Sequence, residues 1–325
     1  MILRQPSSLL LCCLLVGVFV TFSNASQGDR LDEFKECVNV CKRENCAPGK
    51  TTEIPFLHML LLWDCPAECD YTCQHIITNQ RVANSQHIVQ FHGKWPFYRL
   101  LGMQEPVSVL FSIFNFIAHQ RGLHKLKAYI PPEYSMRKYY LIFSYCGMAS
   151  WAFSIIFHTR DFALTEQLDY FAAGGSVLYG LYYAAVRIFR LDKLGSRKES
   201  VLRAWTSLCI ILYCLHVGYL KTYKWNYSYN IAANVVLGVI QNMMWSVFSF
   251  NKYRASGMVW AMWPGFVVAW IMLAMGLEIL DFPPFWGYFD AHSLWHLGTV
   301  GPTMLWYNFL VKDAQDDIAG QRFKA

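Results

Sequence analysis

His292 and His296, in the stretch Ala291-His292-Ser293-Leu294-Trp295-His296, stand four residues apart near the start of the last long apolar run. On a helix that spacing puts both on one face, about 6 Å apart along the axis, where two imidazoles can grip one metal ion. Ionisable side chains are costly inside an apolar membrane helix, so packing gives no reason for such a pair. A counterpart lies far upstream, where the run Trp151–His158 ends with Ser154 and His158, again four apart, and Asp169 follows eleven residues later. Three neutral imidazoles leave one position of a tetrahedral zinc open, the pattern of a catalytic site. The chemistry expected is hydrolysis by metal-activated water, the ion acidifying the water and polarising a carbonyl. Asp169 would accept the water's proton and deliver it to a leaving alkoxide. Ser154 would orient the water or donate to the oxyanion.

Each residue also has a plainer role. Asp169 could cap a helix N-terminus, where a carboxylate is favoured. Serines such as Ser154 commonly pack between membrane helices. A serine nucleophile is the rival for Ser154, but no Gly-x-Ser-x-Gly elbow surrounds it. Asp161 and Asp290 lie beside the ligands as alternative acids, and Glu105 reads as a structural partner of Arg99. His216 reads as a packing group.

The elements that must position these residues are membrane helices. The chain has 325 residues, 55% hydrophobic and 15% charged, where a soluble domain carries about a quarter charged residues. Uninterrupted apolar stretches long enough to cross a bilayer imply an all-α polytopic membrane protein, a seven-transmembrane-helix bundle. Spans are expected at about 99–118, 139–158, 168–188, 202–220, 229–249, 258–278 and 291–311, so the hydrolase domain covers 96–311 and a cytosolic tail 312–325. No basic cluster is interleaved with aromatics in a soluble segment, which argues against nucleic acid as a partner. No phosphate-cradling glycine loop is evident, which argues against nucleotide chemistry.

Loop charge orients the bundle. Arg121, Lys125, Lys127, Arg137 and Lys138 follow the first span, and Arg190, Lys193, Arg197 and Lys198 follow the third. Ile279–Phe289 has no Lys or Arg. The amino terminus is therefore expected in the lumen. His158, Asp169, His292 and His296 then share one membrane depth at the lumenal side, although they come from distant parts of the chain.

Residues 1–25 read as a cleaved signal peptide, with Arg4, an apolar core over Leu9 to Val20, and small residues at Ser23 and Ala25. Residues 26–95 form a lumenal cysteine-rich domain holding Cys37, Cys41, Cys46, Cys65, Cys69 and Cys73. After a signal peptide an even set implies three disulfides, with fifteen possible pairings, and a lumenal zinc site is the competing arrangement. Asn24 and Asn226 lie in glycosylation sequons. Cleavage after Ala25 would split the first, and the second lies close to the membrane.

The Ser154, His158, Asp169, His292 and His296 pattern resembles a superfamily of seven-span hydrolases that includes alkaline ceramidases and adiponectin-type receptors. The resemblance implies zinc held by His158, His292 and His296, with Ser154 and Asp169 nearby. The cysteine-rich segment, Gly93-Lys94-Trp95-Pro96-Phe97, Gln104-Glu105-Pro106, Phe157-His158-Thr159-Arg160-Asp161, Leu168-Asp169-Tyr170-Phe171 and His292-Ser293-Leu294-Trp295-His296 narrow it further. Over nearly the whole chain they resemble the post-GPI-attachment-to-proteins phospholipases of the Per-like family. That resemblance implies removal of the unsaturated sn-2 acyl chain from GPI-anchored proteins, in the Golgi or, in fungi, the endoplasmic reticulum. The chain carries no dilysine or Lys-Asp-Glu-Leu retrieval signal, which leans toward the Golgi membrane. A ceramidase-like lipid-amide hydrolase and a non-enzymatic lipid receptor or escort are the alternatives, and fold resemblance alone does not separate them.

Overall fold

A computed structural model describes residues 26–47, 54–193, 195–223 and 225–322. The expected signal peptide and the Asn24 sequon lie outside the described residues. The first unit is a cysteine-rich hairpin of two long helices, α1 (Asp32–Asn45) and α3 (Cys65–Ala83), with a short α2 (Phe56–Leu60) between them. The Asp64 carboxylate accepts the Ala67 N–H at 2.9 Å and Pro66 occupies the first turn, a strong start signal for α3. Cys37–Cys73, Cys41–Cys69 and Cys46–Cys65 form an antiparallel ladder of disulfides. All six sulfurs are spent, so the competing lumenal zinc site is overturned. Phe34, Val38, Ile77, Val89 and Phe91 make the small apolar core beside the ladder.

Seven long helices follow: α4 (Pro106–Tyr129), α5 (Arg137–Thr159), α6 (Ala163–Ile188), α7 (Ser196–Thr222), α8 (Tyr227–Ser256), α9 (Trp263–Leu280) and α10 (Ala291–Arg322). In the order α4, α5, α6, α8, α9, α10 each packs on the next and α10 returns to α4, while α7 leans on α6. By length and composition, four segments among the described residues are apolar enough to cross a membrane: Arg137–Thr159, Ser196–Thr222, Tyr227–Ser256 and Val259–Glu278. Helices α4, α6 and α10 are long as well but fall outside that set.

Three helix boundaries depart from expectation. The first long helix begins at Pro106 rather than near 99, because Pro106 takes the first helical position and Arg99–Glu105 forms a loop with a Leu100–Met103 bridge. Helix α6 begins at Ala163, so Asp169 lies in its second turn and caps nothing. Residues 312–322, expected as part of a tail, continue α10. Fully buried Asp313 there receives Nε and Nη2 of Arg187 on α6 at 2.6 and 2.8 Å. Asp316 receives Lys252 of α8 at 2.7 Å, and Asp317 receives Arg190. Around this end lies the main core, including Tyr140, Tyr183, Trp245, Trp306, Tyr307 and Phe309. The chemistry-bearing residues gather at the opposite end of the bundle.

Candidate metal centre

Chain direction explains why distant residues meet. The far end of the bundle collects the starts of α4, α6 and α10 and the ends of α5 and α9. His158 closes α5, and His292 and His296 occupy the first two turns of α10. Asp290 caps α10: its carboxylate accepts the Ser293 N–H at 2.9 Å, and the Ser293 hydroxyl accepts the Asp290 N–H at 3.0 Å. The cap is the role the hydrogen bonds give Asp290. One turn further, Asn115 on α4 donates to the His296 carbonyl at 2.7 Å and accepts from Thr299 at 3.0 Å, locking α10 against α4.

The three histidines converge. Their ring centroids are 5.2 Å apart for His158–His292, 5.0 Å for His158–His296 and 4.5 Å for His292–His296. One ligand atom from each lies within 4.8 Å of the others. The opposite edges of the rings are held by protein. Nδ1 of His158 donates to Glu105 at 2.7 Å, and Nδ1 of His292 donates to Glu278 at 2.8 Å. Nδ1 of His296 lies 3.0 Å from Ser112 Oγ and 3.4 Å from the Ser108 carbonyl. A carbonyl can only accept, so the proton of His296 belongs on Nδ1 as well. With each Nδ1 engaged, Nε2 is the ring nitrogen each histidine has left to offer a metal, which is how metal-binding histidines are ordinarily prepared. The donor set fits a zinc ion. The other cluster of metal-ligating side chains among the described residues, Cys46, Cys65 and Cys69, consists of cysteines already in disulfides.

Asp169 is within electrostatic reach of both His158 and His292. The Ser154 hydroxyl is 3.0 Å from that of Ser112, which in turn meets Nδ1 of His296. His216 bonds Asn230 at 3.2 Å, away from the site. Asn226, in the second sequon, uses its side chain to cap α8, accepting the Tyr229 N–H at 3.0 Å.

Glu105 does not pair with Arg99. Lys94 reaches its other carboxylate oxygen and also bonds Asp161 at 3.1 Å, while Arg99 turns to Glu68 at 2.8 Å. Lys94 also lies 4.0 Å over the Phe157 ring. Burial by itself would lower the Lys94 pKa, but the carboxylates of Glu105 and Asp161 outweigh it and raise it. Glu278, Ser112 and this role of Glu105 escaped sequence reasoning. The one available signal for Glu278 was a lone carboxylate closing an otherwise uncharged run, Ala255–Leu277.

The Per1-like family model matches residues 55–314. A fission yeast (Schizosaccharomyces pombe) "Protein PER1 homolog" is 39% identical over 305 residues, covering 93% of this chain and 91% of the relative. A Xenopus tropicalis protein named "GPI-specific phospholipase A2-like PGAP3" is 35% identical over 89% of this chain and 91% of its own length. The Homo sapiens protein of that name is 32% identical over 93% of each. No solved structure matches the chain.

Proposed function

The chain belongs to the Per1-like family, and from that premise we propose that it remodels GPI anchors as a zinc-dependent phospholipase A2, hydrolysing the sn-2 acyl ester of GPI-anchored proteins. The observation that carries this reading is the convergence of His158, His292 and His296 with every Nδ1 engaged by a protein partner. Relatives named for a GPI-specific phospholipase A2-like activity supply the substrate class.

A zinc ion held by the three Nε2 atoms would supply Lewis acidity toward the acyl carbonyl and toward water. The chain's own groups do the rest. The Asp169 carboxylate takes a proton from the attacking water as its oxygen bonds to the acyl carbon. It returns that proton to the glyceryl oxygen as the ester C–O bond breaks, leaving a lyso-GPI and a free unsaturated fatty acid. Glu105 and Glu278 hold His158 and His292 in one tautomer and one orientation. The Ser112–Ser154 hydroxyl pair supports His296.

The site's place at one end of the bundle suits a phospholipid ester, which lies at the membrane interface rather than in its hydrocarbon centre. The reading includes seven spans, with α4, α6 and α10 joining the four apolar helices, and the metal end facing the lumen of the Golgi or, alternatively, of the endoplasmic reticulum. The lumen is where the protein part of a GPI-anchored substrate resides.

The test is fatty-acid release from a purified GPI-linked lipid by the full-length protein in lipid nanodiscs, followed by mass spectrometry. Wild type should release the sn-2 chain and lose that activity on chelation, with zinc restoring it. His296→Ala should release none at equal protein level. Equal release by His296→Ala would remove the histidine centre from the reaction.

A further inference from the structure

A cavity of about 390 Å³ lies between the cysteine-rich hairpin and the metal end of the bundle. That volume is within the range of roughly 300–1,000 Å³ typical of small-ligand sites. Its lining is unlike a lipid groove. Lys94, Arg99 and Arg160 face the same space as Asp64, Asp70 and Asp161. His92, which bonds Asp70 at 2.9 Å, also lines the cavity, so cations and carboxylates lie close to balance and offer dense, alternating donors and acceptors.

Trp95 and Trp63 add aromatic surface. The indole N–H of Trp95 donates to Asp281 at 2.9 Å, which fixes its ring. Trp63 carries both guanidinium groups, Arg99 at 3.2 Å and Arg160 at 3.6 Å from its ring centroid. Stacking sets the planes of the two arginines while spending few of their N–H groups. Arg99 donates to Glu68, and Arg160 donates to the Asp161 carbonyl at 3.1 Å. The buried Nε atoms of both have no hydrogen-bond partner among the described residues. A guanidinium has five N–H donors, so the protein leaves much of this capacity unused.

We propose that this cavity binds a six-membered polyol ring, a sugar or an inositol, in the headgroup of the glycolipid substrate. Vicinal hydroxyls can donate to the carboxylates and accept from the guanidinium groups at once, which needs balanced charge rather than net charge. The C–H face of such a ring meets the negative face of an aromatic such as Trp95. The inference rests on the GPI-lipid hydrolysis proposed above and names the part of that substrate held away from the reacting ester. Lys94 joins the two places: it lines the cavity and bonds Glu105, which orients His158. A ring seated in the cavity therefore lies next to the support of the metal centre, and selectivity for glycosylated over simple phospholipids follows.

The experiment titrates full-length protein in nanodiscs with glucosaminyl-inositol, free of phosphate and acyl chains, by calorimetry. Saturable binding is expected. Trp95→Leu and Arg160→Gln should each weaken it by about tenfold, the loss of one good contact, while His296→Ala should bind as wild type does. Methyl glucosaminide and myo-inositol, tested separately, identify which ring is held. Absence of saturable binding, unchanged affinity in both variants, or equally strong competition by glycerophosphate would overturn the proposal. Should Trp95→Leu misfold, a photoactivatable glucosaminyl-inositol on wild type gives a test without mutation. Label on the peptides bearing Trp63–Tyr71 or Lys94–Gln104 supports the cavity, and label only elsewhere refutes it. The two proposals fail separately. Lost polyol binding with zinc-dependent acyl release intact removes the cavity alone, and polyol binding with full acyl release by His296→Ala removes the zinc hydrolase alone.

Discussion

Nδ1 of His158 donates to one carboxylate oxygen of Glu105 at 2.7 Å, and the other oxygen of Glu105 receives the Lys94 ammonium. One buried carboxylate thus orients a candidate metal ligand and anchors the loop that precedes α4. Glu105→Gln keeps the shape but can accept through only one oxygen. Loss of such a supporting group costs about 10- to 100-fold in metal affinity. Chelator competition on purified protein should show zinc bound that much more weakly, with Glu278→Gln acting similarly through His292. Wild-type affinity in both variants would mean that neither carboxylate supports the centre.

In the proposed reaction Asp169 carries the proton and is not a metal ligand. Asp169→Asn should retain zinc by elemental analysis and lose about 10²- to 10⁴-fold in acyl release, the usual worth of general acid–base catalysis. Zinc loss in this variant would reassign Asp169 as a support for the ligands.

The two serines separate by position. Ser112 meets His296 directly, whereas Ser154 meets only Ser112 in this chain of hydroxyls. Ser112→Ala should therefore weaken zinc binding more than Ser154→Ala. If Ser154→Ala instead abolishes acyl release with zinc unchanged, Ser154 acts on the substrate.

At the other end, Arg187 and Asp313 have side chains only 4% and 0% exposed. Breaking a buried pair leaves one uncompensated charge, at a cost of about 3–5 kcal/mol. Asp313→Asn should lower the thermal midpoint substantially, while the double substitution Arg187→Met with Asp313→Leu should recover much of the loss. A midpoint unchanged by Asp313→Asn would show that α10 does not need this clamp.

The cysteine-rich hairpin carries its own pH dependence. Nε2 of His92 donates to Asp70 at 2.9 Å; that bond raises the His92 pKa above 6.5. Burial alone would raise the Asp70 pKa, but the contact with His92 outweighs it and holds the carboxyl below 3.8. The stabilisation is full between 3.8 and 6.5, fades as pH rises through the raised His92 value, and fades as pH falls through the lowered Asp70 value. Thermal melts of wild type and His92→Asn should differ most in that window and converge in mild alkali. A difference that grows with rising pH would reverse the assignment.

Local spacing carried far in this chain because a helix turns one face every three to four residues. His292 with His296, and Ser154 with His158, were bound to share faces once their segments were helical. Antiparallel alternation of the long helices then put His158, Asp169 and His292 at one end. Rotation of each helix about its own axis is a different matter, settled by packing against neighbours. That rotation brought Ser154 to Ser112, and Glu105 to His158 rather than to Arg99.

The amino-acid sequence by itself determined the helical class, the apolar segments, the three histidines and the presence of a disulfide-rich hairpin, because each is written in composition or in short-range periodicity. Tertiary structure alone decided which cysteines pair, which carboxylates hold the histidines, and that residues 312–322 belong to the bundle. The physical reason is the same in each case. A disulfide, a buried ion pair or a hydrogen bond to a ring edge joins positions far apart along the chain, and only the register and crossing of packed helices brings the two partners within bonding distance.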